Sequence, residues 1–117
     1  ELGPEQRVDL EIGLGEATRD LERLCRYLEP CGAGNATPVF GVRGVRFAGR
    51  ARVGSGHLKG TLDDGTTRLP AIGFQWADRV AWLGDGLVDA AFRLECNEWN
   101  GRTTLQARLC ALSPHTA

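Results

Sequence analysis

Ala90–Leu112 reads AAFRLECNEWNGRTTLQARLCAL. Two runs of alternating side chains flank the pair Asn100-Gly101. Asn-Gly between such runs predicts a tight primed hairpin, because both central residues of that turn need positive φ. On the outgoing run Phe92, Leu94 and Cys96 share one face, and Arg93, Glu95 and Asn97 the other. On the return Leu105, Ala107 and Leu109 lie opposite Gln106 and Arg108. The hairpin is amphipathic, with a polar and basic open face and Trp99 near its tip. A long amphipathic hairpin needs a sheet to close against.

The preceding residues supply that sheet. From Val39 the apolar period is two, and its parity changes at Gly44. Phe40 and Val42 share one face; Val45, Phe47, Ala51 and Val53 share the next. A parity change at a glycine inside a long strand predicts a bulge or sharp bend. This reading turns Arg43, Arg46, Arg50 and Arg52 outward. Gly54-Ser55-Gly56 is the first turn. His57–Leu62 is a second strand, with Leu58 and Leu62 inward and His57, Lys59 and Thr61 outward. Asp63-Asp64-Gly65 is the next turn. Arg68–Trp76 is a third strand of ambiguous parity, and Pro70 predicts an edge position or a bulge within it. Ala77–Gly86 is a connector with room for one helical turn, and it includes Trp82. Leu87–Asn97 and Arg102–Leu112 are the fourth and fifth strands.

Five strands, a bent first one and an insertion between the third and fourth give the layout of an OB-fold, a five-stranded Greek-key barrel. An SH3-like barrel is the competing layout. The fold class expected is mostly β, an OB-fold barrel preceded by an amphipathic helix. That helix opens at Gly15, carries Leu14, Ala17, Leu21, Leu24 and Leu28 at 3–4 spacing, and stops at Pro30. Val8–Ile12 is a short alternating run, read as a strand of a preceding domain. Residues 1–38 are therefore expected to be a connector, the tail of an upstream domain, and residues 39–117 the OB domain.

Composition narrows the function. The chain has 117 residues, 42% apolar and 25% charged, with 16 glycines and no methionine even at position 1. It reads as a piece of a longer polypeptide with one small core. No apolar run approaches the roughly 20 residues of a membrane span, and a cytoplasmic location is expected. The net charge of −1 argues against a strongly basic binder. Its distribution is uneven, however: residues 1–38 carry four arginines against eight carboxylates, and residues 39–117 ten basic groups against seven acidic ones. The barrel portion is mildly basic.

The four cysteines, at 25, 31, 96 and 110, lack C-x-x-C spacing and lie away from His57 and His115, which argues against zinc. Buried reduced thiols are expected. The run Gly32-Ala33-Gly34-Asn35 follows a helix and precedes a strand, the reverse of the phosphate-cradling order, and reads as a connector. Asn35-Ala36-Thr37 matches a glycosylation sequon without any sign of secretion. Asp63 and Asp64 are explained by turn chemistry. No catalytic constellation and no metal site is expected in this chain.

Binding is the better reading. An OB barrel holds single strands across its second and third strands, framed by the loop after strand one and the loop between strands four and five. Those places hold Arg50, Arg52, His57, Lys59 and Arg68, then Asn97, Trp99, Asn100 and Arg102. Basic groups follow phosphates and an aromatic face stacks on bases. Trp99 has two readings: stacking on a base, or folding back over an open barrel end.

The residues EPCGAGNATPVF and AAFRLECNEWNGRTTLQARL resemble the C-terminal region of RecJ-type single-stranded-DNA-specific exonucleases. Gly32, Gly34, Asn35, Pro38, Val39 and Phe40 match that family's glycine loop. Phe92, Arg93, Leu94, Asn97, Glu98, Trp99, Asn100, Gly101, Leu105 and Gln106 match its closing segment. Cys31 departs from the phenylalanine usual in the loop. The resemblance covers nearly the whole chain from about Val8. It implies a parent enzyme of the DHH phosphoesterase superfamily, a 5′-to-3′ exonuclease acting in recombination and repair. The parent would use Mn²⁺ or Mg²⁺ held by Asp and His clusters in an upstream catalytic domain. This chain would be its grip on single-stranded DNA. Three hypotheses follow: a single-stranded-DNA-binding module; a docking module that packs on the catalytic domain or another repair protein without touching DNA; and a self-sufficient nuclease, for which no residues are present.

Overall fold

The structure, a computed structural model, describes residues 8–28, 38–77 and 86–116, with the backbone alone for residues 26–28 and 99. The expectations for the Pro30 stop, Cys31, the glycine loop, the Asn35 sequon and Trp82 lie outside the described residues, as do those for the side chains of Leu28 and Trp99. The elements in order are β1 (Leu10–Glu11), a 3-10 turn (Leu14–Glu16), α1 (Arg19–Leu28), β2 (Phe40–Val53), β3 (His57–Asp63), β4 (Arg68–Gly73), β5 (Val88–Trp99) and β6 (Arg102–Pro114).

The hairpin forms as its sequence requires. Trp99 pairs with Arg102, and Asn100 and Gly101 take φ of 51° and 75°. Phe92, Leu94 and Cys96 stand opposite Leu109, Ala107 and Leu105. The sheet order is β1-β2-β3-β4-β6-β5, and β5 pairs back onto β2, so β2 to β6 close into a five-stranded barrel. All barrel pairings are antiparallel except β4 with β6, a parallel seam of two residue pairs, Ala71–Ala107 and Ile72–Arg108. Pro70 sits where that seam has not yet begun, so its missing N–H is not needed there.

Inward residues of β2 to β6 form one core. Phe40, Val42, Val45, Phe47, Leu58, Leu62, Leu69, Val88, Phe92 and Leu94 are all 3% exposed or less. Burying side chains of this size contributes about 1.5–3 kcal/mol each. The Phe40 and Phe92 rings meet at 6.3 Å across β2 and β5.

The bend in β2 falls at Gly44, as the parity change predicts. Its φ is 67°, and the β2–β5 register slips between Val42 and Val45. A bulged residue loses its ladder partner, and Asp89 replaces it: its buried carboxylate accepts from the Gly44 N–H at 2.9 Å. His115 Nδ1 lies 2.8 Å from the same oxygen, and Arg43 Nε lies 3.8 Å from the other one. Asp89→Ala is expected to cost about 1–3 kcal/mol, because it leaves a part-buried N–H without its acceptor. A fall in the urea midpoint checks this, and His115→Gln should lower it less.

Three expectations need correction. First, β2 has a second bulge, at Gly49, with φ of 63° and a register slip between Ala48 and Ala51. Residues directly opposite share a face. Ala51 therefore joins Lys59 on the outer face, and Val53 joins His57. Arg52 falls opposite Leu58 rather than beside Lys59, and is exposed. Second, Val8–Ile12 contributes to this barrel: β1 runs parallel to β2, Leu10 beside Phe40 and Glu11 beside Gly41. Third, the helical face is rotated. A 3-10 turn first takes Leu14 into the core, with Ala17 just after it, and the helix restarts under Thr18, whose Oγ1 accepts from the Leu21 N–H at 3.2 Å. The buried face then carries Glu22 and Cys25, while Leu24 is 50% exposed. Cys96 Sγ donates to the Glu22 Oε1 at 3.1 Å.

Candidate nucleic-acid interface

Closing the barrel curls the β5–β6 hairpin toward the outer face of β3 and β4. Alternation decides which side chains meet there. On β3 it presents Lys59, on β4 Pro70, and on the hairpin Asn97, Arg102, Thr104 and Gln106. Together with Asn100 these residues line an open groove of about 930 Å³. No carboxylate is among its described lining residues. Glu95 lies on the same hairpin face but accepts a hydrogen bond from Gln106 Nε2. Among the described residues neither Lys59 nor Arg102 has an ion-pair partner, and both are exposed. Two unpaired cations and a row of amide and hydroxyl groups suit a polyanion whose bases are accessible.

Four of the nine residues expected at the site, Lys59, Asn97, Asn100 and Arg102, are thus brought together. The others are dispersed. Arg50 Nε donates to the Phe47 carbonyl at 2.9 Å, and its guanidinium lies 5.5 Å from the Phe47 ring centroid. Arg52 reaches over the turn at Gly56. Arg68 Nε lies 3.3 Å from Asp63 at the far end of β4. His57 accepts the Gln75 N–H through Nδ1 at 3.0 Å and packs edge-on against Phe74. The side chain of Trp99 lies outside the described residues. Sequence reasoning passed over Pro70, Thr104 and Gln106; the same period of two that placed Arg102 would have found the last two.

A second hollow, between α1 and the hairpin, is lined by Arg19, Glu22, Arg23, Cys96, Glu98 and Thr103. Its charges are mixed, and Arg23 is engaged by Asp20 at 3.3 Å. The Asp63-Asp64 turn is held by its own backbone: Asp63 accepts from the Gly65 N–H, and Asp64 from those of Thr66 and Thr67. The Thr67 and Thr66 N–H groups pull the Asp64 carboxyl below its ordinary value. Among the described residues no group of three or more His, Cys, Asp or Glu could hold a metal ion, and no helix is long and apolar enough to cross a membrane.

No disulfide joins the described cysteines, Cys25, Cys96 and Cys110. Burial pushes up the thiols of Cys25 and Cys110; Glu22 adds to the rise at Cys25, and Arg93 and Arg108 offset part of it at Cys110. Both are expected to react with iodoacetamide at pH 7.5 more slowly than a small free thiol, because the thiolate is the nucleophile. Labelling rates read by mass spectrometry check this.

A closed Greek-key barrel with a parallel seam between its third and fifth strands, and a groove over its second and third, is an OB-fold. The family model for the RecJ OB domain matches residues 8–111, and the chain belongs to that family. Among solved structures it is similar to RecJ from Thermus thermophilus in complex with Mg²⁺, at 27% identity and a TM-score of 0.66. It is also similar to the Mn²⁺ complex of that protein, at 26% identity and a TM-score of 0.64. Each match covers 93% of this chain and 16% of the other, so the chain spans about a sixth of the RecJ chains it resembles. No curated protein matches the sequence.

Proposed function

We propose that the chain is the single-stranded-DNA-binding OB module of a RecJ-like 5′-to-3′ exonuclease, a cytoplasmic enzyme of recombination and repair. The observation that carries this reading is the groove itself. Among the described residues Lys59 and Arg102 stand unpaired on its two walls, no carboxylate lines it, and polar hairpin residues fill the space between. Lys59 and Arg102 take successive phosphates, while Asn97, Asn100, Thr104 and Gln106 offer hydrogen bonds to sugar and base edges. The N-terminal side of the chain leads to the upstream catalytic domain, which would hold the Mn²⁺ or Mg²⁺ of the parent. The module's part is to align the strand, and the hydrolysis belongs to the parent's metal site.

Titrating labelled oligo-dT and a matching duplex into the chain at several salt concentrations tests the reading. Preference for the single strand is expected, with log K falling by about 0.7 per phosphate contact for each tenfold rise in salt. Equal affinity for duplex, or binding indifferent to salt, would overturn it.

The docking reading has one observation in its favour: Leu10, Leu24 and Leu87 are 54%, 50% and 46% exposed. These leucines lie outside the groove lining, so a protein contact through them leaves the groove open.

A further inference from the structure

The chain has four phenylalanines. Phe40, Phe47 and Phe92 are 3% exposed or less, whereas Phe74 is 41% exposed. Phe74 follows the last residue of β4 and lies on the outer side of the barrel. Arg108 of β6 places its Cζ 4.7 Å from the Phe74 ring centroid. From β3, the His57 ring meets Phe74 at 5.1 Å and 77°, edge to face. His57 is itself fixed, since its Nδ1 accepts the Gln75 N–H. The cluster is thus two rings and an exposed guanidinium from three adjacent strands, held together outside the core.

The cluster continues the groove. Lys59, Ile72 and Arg108 are successive partners across β3, β4 and β6. Neighbouring strands are about 4.8 Å apart, so Lys59 and Arg108 are separated by about 10 Å of backbone on one face. Pro70 lines the groove, and Phe74 lies four residues farther along the same strand direction, about 13 Å by strand rise. A chain that leaves the groove past Lys59 next meets this cluster.

We propose that His57, Phe74 and Arg108 form a base-stacking subsite for an unpaired nucleobase, at the end of the groove opposite the hairpin tip. The inference rests on the reading of the groove as a single-strand site, and it adds where a base is held. Bases stack both on aromatic rings and on guanidinium planes, and a guanidinium lying over a ring offers such a plane with a positive charge for the adjoining phosphate. The contact is indifferent to base identity, because every base has a π face.

The test compares oligo-dT with an abasic strand of the same length, which keeps the phosphates and lacks the bases. Phe74→Ala is expected to weaken oligo-dT binding about tenfold and leave abasic binding unchanged, with the same salt slope. Phe74→Trp should retain oligo-dT affinity. Arg108→Lys, which keeps the charge and loses the plane, should reproduce part of the Phe74→Ala loss on oligo-dT alone. Circular dichroism and the urea midpoint establish that each variant is folded; Phe74→Leu, which keeps the apolar bulk, replaces the alanine variant should that one unfold. Undiminished oligo-dT binding by Phe74→Ala or Phe74→Leu, or an equal loss on both strands, overturns the subsite. If reversal of Lys59 and Arg102 weakens binding while Phe74 variants do not, the groove stands and the subsite falls. If the unmodified chain binds no oligo-dT, both fall together.

Discussion

Phe92→Ala is expected to remove about a third or more of the barrel's stability. Phe92 is fully buried, stands opposite Phe40 of β2 on one side and Leu109 of β6 on the other, and is the largest of the fully buried side chains among the described residues. Truncation removes its transfer energy and leaves a cavity between three strands that cannot collapse onto one another, a loss of about 3–5 kcal/mol. Domains of this size hold about 5–15 kcal/mol in all. With a urea dependence of about 2 kcal/mol per molar, the midpoint should fall by about 2 M. Phe92→Leu should lose much less, since it keeps most of the volume. A midpoint shift below about 0.5 M would mean that the β2–β5–β6 junction is not where the barrel's stability resides.

Reversing Lys59 and Arg102 together is expected to have the largest effect on binding. The double variant Lys59→Glu/Arg102→Glu removes both unpaired cations of the groove and puts two carboxylates in their place. At about 1.5 kcal/mol for each charged hydrogen bond removed, oligo-dT affinity should fall on the order of 100-fold. The salt dependence should flatten by about one unit of slope for each phosphate released. The comparison is Arg50→Glu/Arg52→Glu, with the same change in net charge. The Gly49 bulge has turned Arg52 away from Lys59, and Arg50 is tied to the Phe47 carbonyl. Fluorescence anisotropy on both variants separates a local grip from a general electrostatic field. Equal losses would point to net charge and sink the groove as the site.

The barrel was legible where a local chemical demand leaves a mark. Asn100-Gly101 has to sit at positive φ, and Gly44 sits where the parity of the apolar residues reverses. Gly49 makes the same demand without such a mark, because Ala51 and Val53 are apolar and, in an unbulged strand, would continue the face of Phe47. That one missed glycine turned Ala51 outward and put Arg52 on the side of Leu58, and it took Arg50 and Arg52 out of the groove. Helical phase misled for a related reason. Leu24 fits a stripe with Leu21 and Leu28, but the restart at Thr18 rotates that stripe and buries Glu22, which accepts from the distant Cys96. The parallel pairing of Leu10–Glu11 is two residues long and joins segments about 30 positions apart, so no local pattern could announce it. For the site, alternation was enough to select the hairpin residues. Phe74 was invisible because both faces of β4 look apolar; in the structure it continues the outer face of Pro70 and Ile72.

The two-pair seam between β4 and β6 has a consequence for how the module reports its own occupancy. The barrel is least securely fastened there, and the groove lies across the fastening, with Lys59 and Pro70 on one lip and Thr104 and Gln106 on the other. A strand that grips both lips is therefore linked to the opening of the ring. At a hundred times its dissociation constant it adds about 2.7 kcal/mol against any opening that releases it. The backbone amides that bond across the β4–β6 seam become a gauge of loading: their hydrogen exchange slows as the groove fills, while amides on the β2–β3 side keep their pace.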